Sequence, residues 1–64
     1  MVDVIKVSIE ESYTRKTKSK LTNYGDQMFL IGQLYGEGKI SLDEADELIV
    51  YNANLMLVEM VGVV

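Results

Sequence analysis

Ser41-Leu42-Asp43-Glu44 constrains the fold of this chain more than any other segment. A serine followed three positions later by glutamate is a capping box. The hydroxyl accepts from the glutamate amide, and the carboxylate accepts from the serine amide. Both bonds satisfy donors that every helix start leaves open. Ile40 and Ala45 occupy the hydrophobic-staple positions on either side. Asp43, Glu44, Asp46 and Glu47 crowd the first turns, where the helix dipole favours negative charge. The sequence therefore predicts a helix that begins at Leu42, continues to about Val61 and stops at Gly62.

The rest of that helix is apolar around most of its circumference, from Leu48 to Val61. A helix apolar on every side is a buried one. Each large apolar side chain left in water forfeits about 1.5–3 kcal/mol. A chain of 64 residues has little else to cover it, and domains this small rely on disulfides, metals or oligomerisation. There is no cysteine and no histidine, so disulfides and thiolate or imidazole metal sites are excluded. Oligomerisation remains. The expected interface is Leu48, Ile49, Tyr51, Leu55, Met56, Val58 and Met60, in a two-fold homodimer. Asn52 and Glu59, with Met56 beside them, share one side and are expected on a solvent-exposed stripe. The alternative for Glu59 is a lysine of the neighbouring chain, because a buried unpaired carboxylate is expensive.

Upstream, Leu21, Tyr24, Met28, Ile31 and Tyr35 follow a three-four spacing and predict a preceding helix. Asn23 or Asp26 is its expected cap, and Gly36 and Gly38 its stop. Gly32 lies inside it, explained either by a close helix contact or by tolerance. A connection this short makes the two helices antiparallel neighbours.

The N-terminal segment alternates. Ile5, Val7 and Ile9, with Tyr13 in phase, fall on one side; Lys6, Ser8 and Glu10 fall on the other. β-Branched residues and a period of two predict a strand. Ser8-Ile9-Glu10-Glu11 is a competing signal, with the spacing of a capping box opening a helix at Ile9. Residues 13–21, with Lys16, Lys18 and Lys20 on one parity, read as a solvated edge strand completing a hairpin, or as a basic linker. The expected fold is α+β in a single domain, 1–64. Residues 1–21 form the strand and basic segment, and residues 22–64 an antiparallel helical hairpin that dimerises through its second helix.

Charge is uneven. The net value is −4, yet residues 1–24 carry +2 and residues 25–64 carry −6. Arg15, Lys16, Lys18 and Lys20 are the candidate partner-binding group, for an acidic protein surface or for nucleic acid. Tyr13 and Tyr24 flank them; aromatics so placed can stack on bases, although both also suit the core pattern. The acids at 43–47 match helix capping better than a cation site, since the alternating ligands and glycine turn of a calcium loop are absent. Gly36 and Gly38 fit neither a phosphate loop nor a dinucleotide fingerprint. Without histidine or cysteine, the commonest general base and the most reactive nucleophile are missing, so the chain is expected not to be an enzyme and to use no cofactor. Residues 48–64 are too short and too interrupted for a membrane span, which needs about 20 apolar residues. Asp3 and the lack of a basic start followed by an apolar core do not match a signal peptide. The cysteine-free composition fits a cytoplasmic protein.

Three resemblances bear on the fold. "LIGQLYGEGKISLDEADELI" resembles the helical hairpin of SHOCT-type C-terminal modules, across about a third of the chain. "SLDEADELIVYN" resembles the second helix of small sporulation-type aspartyl-phosphate phosphatases; with Asp46 on the family aspartate, Leu42 takes the serine position. A strand followed by two helices resembles the ribbon–helix–helix repressors, which implies a DNA-binding dimer. Here the outward set Lys6, Ser8 and Glu10 gives no basic reading face. The expected function is protein–protein interaction by a small homo-oligomeric regulator or inhibitor of the phage or mobile-element accessory type. The alternatives are a nucleic-acid-binding regulator and a structural assembly subunit.

Overall fold

The structure, a computed structural model, describes residues 1–15 and 18–63; of residues 58–63 it describes the backbone alone. Among the described residues there are three helices and no strand: α1 (Val2–Thr14), α2 (Lys20–Gly36) and α3 (Leu42–Val63). The expected α+β fold with an N-terminal strand or hairpin is overturned, and with it the paired ribbon of a ribbon–helix–helix repressor.

The misleading signal is specific. Ile5, Ile9 and Tyr13 are four residues apart, an interval that keeps them in phase both on a strand and on a helix. Val7 separates the two cases. A strand would bury it beside Ile5 and Ile9, whereas a helix turns it away. Val7 is 52% exposed, while Ile5, Ile9 and Tyr13 are buried. The helix also has the better energetics. A two-stranded hairpin is marginal in water and leaves open edges, whereas a helix satisfies its backbone internally and docks a whole stripe.

α2 begins earlier than predicted. Its cap is Ser19, whose hydroxyl accepts from the Thr22 amide at 3.1 Å, and not Asn23 or Asp26. Asn23 is buried one turn inside. The helix ends in a Schellman arrangement, with Lys39 N–H on Leu34 O and Gly38 N–H on Tyr35 O, both at 3.0 Å. Gly38 supplies the left-handed residue this needs, at φ 75°. Gly32 has open space where a Cβ would stand, so no helix contact among the described residues explains it. α3 starts as the capping box requires. Ser41 N–H donates to Glu44 Oε1 at 2.8 Å, and Glu44 N–H to Ser41 Oγ at 3.2 Å. Ile40 and Ala45 are both buried.

Cross-helix contacts give the topology. Ser12, near the end of α1, meets Asn23, near the start of α2. Tyr24 meets Asn52, positions comparably distant from the α2–α3 turn. Lys6 meets Glu47, and Tyr13 meets Asn52. α2 therefore runs against both neighbours, and α1 runs alongside α3. The core joins Ile5, Ile9 and Tyr13 of α1 to Ile31 of α2, Ile40 of the turn, and Ala45 and Leu48 of α3. Among the described residues, no helix is long and apolar enough to cross a membrane.

Candidate interaction surfaces

The third helix changes what α3 has to offer a partner. Leu48 is 0% exposed within the single chain. Ile49, Tyr51, Leu55 and Met56 are half-buried and packed against the same core. α1 supplies much of the cover that a second protomer was expected to give. The Tyr51 ring, for example, lies under the Lys6 ammonium, 5.3 Å from its centroid. The same ammonium pairs with Glu47 at 2.5 Å. The Glu47 carboxylate, through this hydrogen bond first, holds the Lys6 pKa above the ordinary lysine value; burial works in the opposite direction, and Asp3 adds a smaller upward pull. Val58, Met60 and Glu59 have side chains outside the described residues.

The expected exposed stripe is corrected at Asn52. Asn52 is fully buried, and its amide is a junction between all three helices. Tyr13 Oη donates to its Oδ1 at 2.5 Å, and its Nδ2 donates to Tyr24 O at 3.2 Å. A second polar contact lies nearby. Asn23 Nδ2 donates to Ser12 Oγ at 2.9 Å, Ser12 Oγ donates to Ile9 O, and Gln27 Nε2 donates to Asn23 Oδ1 at 3.3 Å. Sequence reasoning missed these groups. The available signal was Asn52 at the four-residue interval from Leu48, in line with the core.

The basic candidates occupy the α1–α2 connection. Arg15 follows α1 and faces Glu11 at 3.7 Å. Lys18 pairs with Asp26 at 2.5 Å. Lys20 opens α2 half-buried, and Lys16 lies outside the described residues. Arg15 and Lys18 are thus partnered by acids of their own chain. Tyr13 faces the core, and Tyr24 is half-buried, so neither stands out as a free stacking platform. The acids at the start of α3 include a capping partner, Glu44, and a lysine partner, Glu47. Among the described residues, no group of three or more acids, histidines or cysteines is placed to hold a metal ion.

Apolar surface appears elsewhere. On α2, Leu21 is 73% and Phe29 75% exposed. They lie on one face with Gly25, Gly32 and Gly36, each open where a Cβ would stand. Val50 and Leu57 are exposed on α3, and Val4 and Val7 on α1. No family model matches the chain, and no significant match is found among curated proteins or solved structures.

Proposed function

We propose that this chain is a small, non-enzymatic, homo-oligomeric protein that works through protein–protein contact, as a regulator or inhibitor of the phage or mobile-element accessory type. One observation carries the interaction role: two large apolar side chains, Leu21 and Phe29, stand about three-quarters exposed on one helix face. Single exposed apolar residues are ordinary, but an apolar face of this kind marks an interaction site. The supporting surface is thus on α2, while Leu48, Ile49, Tyr51, Leu55 and Met56 of α3 pack in or against the chain's own core.

The absence of histidine and cysteine agrees with a role that needs no chemistry. The pairing of Arg15 and Lys18 with acids weighs against nucleic acid as the partner. Sedimentation equilibrium over low to high micromolar concentration tests self-association. A folded monomer throughout that range would remove the oligomeric part of the proposal. Affinity capture followed by mass spectrometry would identify a second protein.

A further inference from the structure

We propose that α2 pairs antiparallel with α2 of a second copy, about a two-fold axis passing between Met28 and Phe29. The proposal rests on the self-association proposed above and gives it a surface and a register.

Three observations select this occupant. The first is charge. α1 carries −2 and α3 −5, whereas α2, from Lys20 to Gly36, carries one lysine and one aspartate and is neutral. A chain of net charge −4 repels its own copy across the faces of α1 and α3. α2 is the helix through which two copies can approach without that repulsion. Its ends complement one another as well. α2 has no acid in its first turn and no base in its last. Antiparallel pairing sets each positive N-terminal end, with Lys20, beside the negative C-terminal end of its mate, with Glu37.

The second is shape. An interface with two-fold symmetry must be self-complementary. The exposed face reads Leu21, Gly25, Phe29, Gly32, Gly36. A two-fold axis between 28 and 29 sets Leu21 opposite Gly36 and Gly25 opposite Gly32. Each leucine meets a glycine gap, the paired glycines let the axes approach closely, and the two Phe29 rings meet near the axis in an offset stack.

The third is that the monomer has no evident use for these glycines. Glycine weakens a helix interior, and among the described residues Gly25 and Gly32 touch nothing that would forbid a side chain. A close partner gives them a reason. One helix pair buries less than the roughly 800 Å² per partner of a standard interface, so the dimer should dissociate in the micromolar range.

Because the chain has no cysteine, cross-linking tests the register cleanly. Leu21→Cys and Gly36→Cys chains, each folded by circular dichroism, are oxidised separately and as an equal mixture. The mixture should give disulfide-linked heterodimer. Each variant alone should give little, since like positions lie about 22 Å apart along the pair. In parallel, Phe29→Lys should raise the dimer dissociation constant at least tenfold with helicity unchanged. A wild-type dimer untouched by Phe29→Lys, or Leu21→Cys linking to itself as readily as to Gly36→Cys, would overturn this interface and leave self-association standing. A wild-type chain that stays monomeric would end both.

Discussion

Tyr13 and Asn52 lie 39 positions apart in sequence, and the phenolic hydroxyl of one donates to the amide oxygen of the other at 2.5 Å in the core. The bond ties α1 to α3, and the Asn52 amide nitrogen carries the tie on to the Tyr24 carbonyl of α2. Buried polar groups paired in this way fix register, because sliding any helix would strand a buried donor or acceptor. Tyr13→Phe should cost about 1–3 kcal/mol, the penalty of an unsatisfied buried acceptor. Asn52→Ala should cost more, since it removes both side-chain bonds and opens a void. Urea denaturation of both variants and of the double variant would check this. Losses that simply add would show that the two residues act independently.

The interior face of α1 can be tested against its exterior. Ile9 is fully buried and Val7 half-exposed, although they are neighbours on the strand pattern. Ile9→Ala should destabilise by about 2–5 kcal/mol, and Val7→Ala by no more than about 0.5 kcal/mol. Equal losses at the two positions would mean that α1 is not packed as described. Thermal unfolding followed by circular dichroism suffices.

Legibility varies with the kind of signal. The start of α3 is written locally, in Ser41 and Glu44, and the structure shows those two hydrogen bonds. The end of α2 is written in Gly36 and Gly38, of which Gly38 takes the left-handed conformation. α1 is not legible, because Ile5, Ile9 and Tyr13 satisfy both periods and tertiary packing decides between them. Reading α1 as a strand has a further consequence. It leaves no third helix to cover α3, so the apolar girth of α3 points to a partner chain. The exposed face of α2 is hidden in the sequence for another reason. Leu21 fits the inward three-four spacing, and Phe29 and the glycines carry no local signature.

The capping box gives a prediction of its own. Ser41→Ala removes the acceptor for the Glu44 amide and should cost about 0.5–2 kcal/mol. Ser41→Asp should retain most of the stability, because aspartate caps as well as serine. Chemical denaturation of the three proteins would show the order. Aspartate falling as low as alanine would count against the cap.

Lys6 supplies a pH dependence whose sign follows from its raised folded-state pKa. A cation favoured in the folded state contributes in full below its unfolded pKa and loses that contribution as pH rises through the folded value. The ordinary lysine value is 10.5. Compared with Lys6→Met, the wild type should hold a constant advantage in melting temperature from neutral pH to about pH 9. The gap should then narrow above the ordinary lysine value. A gap that widened at alkaline pH would contradict the pairing with Glu47.

Two glycines of the hairpin should respond to alanine in opposite directions. Gly38 sits at φ 75°, where an L side chain crowds the following carbonyl, so Gly38→Ala should cost about 1–2 kcal/mol. Asparagine tolerates that conformation better, and Gly38→Asn should recover part of the loss. Gly32 lies within the helix, and among the described residues nothing stands within 4 Å of the position a methyl group would take there. Its replacement by alanine should stabilise the monomer by about 0.5–1 kcal/mol, through helix propensity and a less flexible unfolded chain. The measurement belongs at a concentration where the chain is monomeric, so that contact between copies does not enter. Denaturation midpoints that moved the same way for Gly32→Ala and Gly38→Ala would show that the turn, the helix face, or both are misassigned.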